Sequence, residues 1–413
     1  MLSAPPGTAE AAPPRVRRSA WLDALRGTAA TVVVFEHALV PLWPEARPYV
    51  KGVFDPGWYG VLVFFLVSGY IVPASLERGA GLRAFWVSRL FRLWPLFAVC
   101  AAGMALLSAA GWDEPHVWWQ TRPTALVLAH VTMLQNLLDV PNLVNVLWTL
   151  SYEMAFYLLL TAMFALGAQR RSTPAALTFA AGAVLGAGLL PTALLSFGTA
   201  DRMLTVVVAV TAVLAAGLAA VLYGHGRLRQ AGAVAVAGTI VLLLAVNQRY
   251  PGPWQGLLIL ATMFAGSTLY RAGTGQVTHR HAAWVALVPL AGLWLGRGDL
   301  GTETATAAAW LTFAAGLALR HRVWPSWAAW LGLVSYSIYL LHPLLMESVE
   351  HFLSDPASVP VAARMALTAG VYAVLLGLCA LTWRWVEAPA QRLGRRLVDG
   401  TASRRAEAGP AKG

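Results

Sequence analysis

The sequence predicts an all-α protein: a polytopic membrane helix bundle of about ten to twelve transmembrane helices, with one short re-entrant or interfacial helix near 124–138. Three observations predict it. Of 413 residues, 58% are apolar or aromatic and 12% are charged, about half the ~25% charge usual in soluble domains. Apolar runs close to the ~20 residues that a membrane-crossing helix requires recur along the whole chain. The arginines, which carry nearly all of the +11 net charge because Lys51 and Lys412 are the only lysines, fall in short clusters between those runs, the pattern of a polytopic membrane protein.

The same pattern excludes other classes. A nucleic-acid binder gathers its cations on one exposed face, and here they are dispersed between apolar segments, so no nucleic-acid partner is expected. Cys100 and Cys379 both lie inside apolar runs, against a disulfide framework, a metal cluster or a thiol nucleophile; no metal is expected. Residues 1–20 are Pro-rich, lack an apolar core and read as a disordered cytoplasmic tail. The run that follows lacks a small-residue cleavage site and contains Arg26 and His37, so it reads as a retained span and not a signal peptide. A single membrane domain over 21–390 and a basic cytoplasmic tail over 391–413 complete the chain. Arg in preference to Lys, with abundant Ala, points to a GC-rich bacterial genome and hence to the bacterial cytoplasmic (inner) membrane.

Taken in order, the runs lie at 21–42, 57–77, 84–109, 146–168, 174–197, 202–223, 231–247, 254–271, 282–297, 303–320, 328–349 and 362–385. The run at 124–138 rises only about 22 Å as a helix, short of the ~30 Å hydrocarbon core, and holds His130, Gln135 and Asn136. If it does not cross, both termini face the cytoplasm and the Arg clusters alternate correctly: Arg15/Arg17/Arg18, Arg78/Arg83, Arg170/Arg171, Arg227/Arg229, Arg271/Arg280 and Arg320/Arg322 inside, with the acidic loops at Asp113–Glu114, Asp299–Glu303 and Glu347–Asp355 outside.

Ionisable groups within a span are costly and usually face the bundle interior. Arg26 and His37 are 11 residues apart, close to three helical turns, so they share one face about 16 Å apart along the axis. A lone membrane histidine reads equally as a core group bonded to a carbonyl; the arginine on the same stripe favours a polar path. Glu36 lies about 100° round the helix from His37 and reads as a rim or orienting residue. Ser68 and Gly69 in FFLVSGY suit close helix packing. Arg89 and Arg92, an i,i+3 pair in RLFRLWP, read either as topology anchors or as a fork for phosphate. Glu153 opens an aromatic patch with Trp148, Tyr152, Phe156 and Tyr157 at a depth near that of His37, which makes the two an acid–base pair in prospect. LVSYSIYLLHPLL carries Tyr336, Tyr339 and His342, and Glu387 is expected to cap or pair at the inner surface.

The ordered set LDALRG with His37, FFLVSGY, RLFRLWP, QNLL with WTLSYEMAFY, LVSYSIYLLHPL and EAPAQR resembles the acyltransferase-3 family of integral membrane acyltransferases. The resemblance implies acyl transfer, commonly acetyl, from cytoplasmic acyl-CoA to a hydroxyl of a sugar, a cell-surface glycan or a secondary metabolite. It implies that His37 is the essential histidine, Arg26 the first-span arginine, Arg89 and Arg92 the R-x-x-R pair, and Glu153 the W-x-L-x-x-E carboxylate. On this reading His37 and Glu153 are catalytic, with Glu153 orienting His37; Arg26, Arg89 and Arg92 bind the donor; and Trp148, Tyr152, Tyr336 and His342 bind substrate. Some relatives carry a fused extracytoplasmic domain; without one, any delivery to an outside acceptor is expected to need another route or a separate partner. The competing reading is a multi-span transporter of a polar or lipid-linked substrate.

Overall fold

The computed structural model describes residues 20–78, 81–112, 122–295 and 298–407. The tail before residue 20, the Asp113–Glu114 loop and the last six residues lie outside them. Among the described residues every regular element is helical, as an apolar solvent demands of a chain that must satisfy its own backbone groups.

Helix α1 (Ala20–Leu42) is 23 residues long, about 34 Å at helical rise. Beyond Pro41 the chain turns into a short helix, α2 (Arg47–Val53), whose arginine and lysine point back towards α1. Asp55 then caps α3 (Pro56–Arg78) by accepting from Trp58 N–H at 3.0 Å, which satisfies one of the open donors of the first turn. Helix α4 (Leu82–Ala109) starts after Gly81, whose φ of +93° is open to glycine without steric cost.

The 124–138 segment is helical only over α5 (Pro123–Val131). It continues as buried turns through Leu134, Gln135 and Leu138, where His130 accepts from Leu143 N–H and Gln135 donates to the Leu147 carbonyl. Non-helical backbone at such depth is tolerated because protein groups satisfy it. Helix α6 (Trp148–Ala165) follows, then α7 (Ser172–Gly186), α8 (Ala200–Tyr223), α9 (Gly226–Val246), α10 (Pro253–Gly273), α11 (His279–Leu295) and α12 (Leu300–Ala318). The run at 174–197 is therefore not one helix: it stops at Gly186, and Gly188, Ala193 and Gly198 at positive φ turn the chain instead.

Helices α13 (Ser326–Leu333) and α14 (Ser335–Phe352) meet at a 64° bend. Helix α15 (Val361–Thr382) passes through a π-helical turn at 383–387 into α16 (Ala388–Glu407). The basic stretch from residue 391 is thus helical as far as Glu407, with Gly394 seated on Phe91 of α4. Glu387 is buried there and accepts a hydrogen bond from Ser337.

Among the described residues seven helices are each long and apolar enough to cross a membrane, and the bent α13–α14 pair makes eight. Helix α10 shows why an apolar run and a lipid-facing span differ. It is enclosed by its neighbours and holds Thr262, Ser267, Thr268 and Arg271 in its buried face. Arg271 is 1% exposed and fully engaged by Ser172, Gln276 and Glu77. The outer helices α8, α9 and α15 keep most of their apolar surface outward, towards lipid. Small residues let inner helices touch: a Cβ on Gly69 would sit 2.0 Å from the Met263 carbonyl, and one on Gly332 2.0 Å from that of Asp23.

Candidate active site

Arg26 of α1, Arg89 and Arg92 of α4, Glu153 of α6 and Tyr336 of α14 line one narrow cavity within the bundle. Helical spacing brings Arg89 and Arg92 to one side, as i,i+3 neighbours must be. Arg89 is buried; it donates to Ser75 Oγ at 3.0 Å, and its guanidinium carbon lies 5.4 Å from the ring centres of both Phe85 and Tyr157. Its Nε has no partner. Glu153 accepts from the Tyr157 hydroxyl. Tyr336 turns its hydroxyl to the Leu93 carbonyl at 2.9 Å, which leaves the ring as cavity wall. Three guanidiniums facing one carboxylate leave an excess of positive charge, suited to an anionic ligand.

Arg89 and Arg92 also line a second cavity of about 940 Å³, bounded by Ser75, Phe85 and Ser88 on one side and by Gln391 and Arg395 of α16 on the other. The two arginines therefore stand at the junction between this vestibule and the deep cavity. Both the start of α1, through Arg26, and the C-terminal helix are at this end of the bundle.

His37 lies at the opposite end, in a cavity of about 850 Å³ shared with Glu36, Arg47, Lys51, Asp55, Trp148 and Tyr250. Its Nδ1 is 3.0 Å from the Val33 carbonyl and 3.1 Å from Glu36 Oε2. Both neighbours are acceptors, so Nδ1 carries the proton and the neutral ring has its lone pair on Nε2. Glu36 is 4% exposed, and its other oxygen receives Arg47 at 3.2 Å and Lys51 at 3.3 Å. Lys51 in turn meets Asp55 at 3.2 Å. The carboxylate is thus held by two cations that α2 folds back over it.

The expected pairing of His37 with Glu153 does not occur. The two line different cavities, and the carboxylate on the imidazole is Glu36. The reason is helix rotation: Glu153 turns towards Tyr157 and the arginines, while the first-turn residue Trp148 of the same helix reaches the His37 cavity. Val61 and Tyr339 line both cavities. The Tyr339 hydroxyl is bonded to Thr149 Oγ1 at 2.9 Å and lies 3.3 Å from the Val146 carbonyl, so its ring stands between them.

Two further expectations change. Tyr152 is fully buried, lines none of these cavities and gives its hydroxyl to Gln248; it is a packing residue between α6 and α9, not a substrate contact. His342 is also fully buried and packs edge-on against the His37 ring at 4.8 Å between centroids. It lines none of these cavities; its Nδ1 is tied to the Ile338 carbonyl at 3.1 Å, and its Nε2 is buried without a hydrogen-bond partner. Sequence reasoning missed Arg47 and Lys51 as neighbours of the site, and named Tyr339 without giving it a place there. The available signal was the cost of Glu36 in a span, which calls for nearby cations. Among the described residues no group of three or more His, Cys, Asp or Glu side chains is close enough to hold a metal ion.

An integral membrane bundle with an arginine-lined cavity that adjoins a second cavity holding His37 is the class that fold and site define. The family model described as an acyltransferase domain, that of the acyltransferase-3 family, matches residues 19–384, and the chain belongs to that family. It is 31% identical over 156 residues, 33% of this chain and 42% of the relative, to Nodulation protein 10 of Rhizobium leguminosarum bv. viciae. It is 30% identical over 157 residues, 35% of this chain and 39% of the relative, to Acyltransferase MdmB of Streptomyces mycarofaciens. The chain spans about two fifths of the length of the curated relatives it matches. No solved structure matches it significantly.

Proposed function

We propose that this chain is an O-acyltransferase that moves an acyl group, acetyl foremost, from cytoplasmic acyl-CoA to a hydroxyl of a sugar, a cell-surface glycan or a secondary metabolite. It works as one membrane domain over 21–390 in the bacterial cytoplasmic membrane, with both termini inside. The observation that carries this reading is the succession of three cavities: vestibule and deep cavity share Arg89 and Arg92, and deep cavity and His37 cavity share Val61 and Tyr339.

The donor enters through the vestibule, at the end where α1 begins and α16 lies. Its phosphates meet Arg89 and Arg92, with Arg26 deeper along the path, and the thioester arm extends past Tyr339 towards His37. Glu153 limits the positive charge of the arginine cluster. The acceptor approaches His37 from the opposite end, beside Trp148. His37 Nε2 takes the hydroxyl proton as the oxygen attacks the thioester carbonyl. The tetrahedral intermediate collapses, the carbon–sulfur bond breaks, and the departing CoA thiolate takes the proton back from the imidazolium. General-base assistance of this kind is typically worth about 10²–10⁴ in rate. Glu36, with its charge fixed by Arg47 and Lys51, stabilises the imidazolium that forms, the part an orienting carboxylate plays beside a catalytic histidine.

Labelled acetyl-CoA incubated with the purified protein and a hydroxyl acceptor tests the reading. The wild-type chain releases free CoA and transfers label; a transporter does neither. His37→Ala abolishes transfer and retains acetyl-CoA binding. Wild-type turnover in that variant refutes the assignment of the base.

A further inference from the structure

Beside the His37 cavity lies another, with both apolar and polar walls, and Tyr250 lines both. Its frame is firmly built. Asp139 sits at φ +57°, a left-handed conformation uncommon outside glycine, and is gripped bidentately by Arg249 at 2.9 and 2.8 Å. Asn136 donates to the Tyr250 carbonyl at 2.7 Å and fixes that residue at the boundary. The Asn142 Oδ1 atom is buried without a hydrogen-bond partner, a state that costs free energy unless a ligand supplies a donor. Two aromatic side chains, Phe197 at 66% and Tyr250 at 67% exposure, flank the opening.

We propose that this cavity is a second acceptor subsite, one that takes the neighbouring ring of a polyhydroxylated glycoside whose reacting hydroxyl lies at His37. The chemistry selects the ligand class. Flat aromatic faces cover the apolar face of a pyranose-like ring while amide, carboxylate and guanidinium groups take its hydroxyls. Asp139 and Arg249 cancel in charge, so the subsite suits a neutral polyol and not a phosphate or a lipid headgroup. The two cavities adjoin at Tyr250, which places one ring on each side of that residue, with Tyr250 at the linkage. The inference rests on the reading of the His37 cavity as the place where an acceptor hydroxyl reacts.

The test measures binding without chemistry. Full-length His37→Ala protein in lipid nanodiscs is titrated, by saturation-transfer NMR, with methyl glycosides and the matching disaccharides in gluco, galacto and manno configurations. The expected result is that at least one disaccharide binds about tenfold more tightly than its methyl glycoside, the increment of one or two well-made hydrogen bonds. Added to that background, Asn142→Ala and Tyr250→Ala each erase the increment, and Tyr250→Phe keeps it because the ring remains. Asn142→Ala removes a group that has no partner in the fold, so it leaves folding intact. Equal affinity for every pair, or an increment that survives both alanine variants, overturns the subsite. Absent acyl transfer by the wild-type chain strikes the proposed activity alone, since this binding needs no donor.

Discussion

Glu36 is where the geometry makes its sharpest demand. Its Oε2 lies 3.1 Å from His37 Nδ1, and its other oxygen is held by Arg47 and Lys51. If His37 gains a proton in the transition state, the Glu36 contact changes from a hydrogen bond with a neutral ring to a charge-assisted one. Hydrogen bonds to charged groups contribute about 1.5–3 kcal/mol, against about 0.5–1.5 kcal/mol for neutral ones. With about 1.4 kcal/mol per decade of rate, the difference of about 1–1.5 kcal/mol between the two states means that Glu36→Ala lowers kcat by about 5- to 13-fold. Glu36→Gln keeps an acceptor of the same shape without the charge, and lowers kcat by about five- to tenfold. The fold tolerates both changes, because Lys51 keeps Asp55 and Arg47 is 41% exposed. The assay is steady-state release of CoA thiol with acetyl-CoA varied at saturating acceptor. KM for acetyl-CoA stays unchanged, since Arg26, Arg89 and Arg92 line a different cavity. A Glu36→Ala enzyme with kcat within about twofold of wild type, or a loss confined to KM, refutes the pairing.

Other consequences follow from the same contacts. Arg89→Gln raises KM for acetyl-CoA by about 10- to 100-fold with kcat little changed, the loss of a charge-assisted phosphate contact; equilibrium binding of acetyl-CoA checks it directly. Gly69→Ala drives a methyl into the Met263 carbonyl and destabilises the α3–α10 packing by about 1–3 kcal/mol or more, read as a lower midpoint in thermal unfolding in detergent. Burial lowers the affinity of the Lys51 ammonium for its proton, but Glu36 and Asp55 outweigh this and leave its pKa above the ordinary 10.5. Its ion pairs therefore stabilise the fold fully below 10.5 and lose that effect as pH rises through the raised value. Lys51→Met flattens the alkaline fall of the unfolding midpoint, measured from pH 8 to about 11.5.

The apolar runs found their helices because run length and the absence of water decide helix formation in lipid almost locally. The segment at 124–138 was readable as non-crossing from its length and from the Arg alternation. The run at 174–197 was not readable as broken at Gly186, because hydropathy does not register a change of backbone direction. The convergence of Arg26, Arg89, Arg92 and Glu153 was partly legible, since each is costly in a span and must face inward. The displacement of Tyr152 into packing was hidden: one helical face holds both cavity and core positions, and neighbouring helices decide between them.

By itself the sequence determined that the chain is a membrane helix bundle, that Arg26 and His37 share one stripe, and that Arg89 and Arg92 lie on one face of their helix. Each follows from run length or from the 3.6-residue turn. Only the tertiary structure decided which carboxylate serves His37, which cations hold that carboxylate, and that Tyr339 stands between the arginines and the imidazole. Those choices depend on how far each helix is rotated about its axis and on where a seven-residue helix folds back, quantities fixed by contacts between segments distant in the chain.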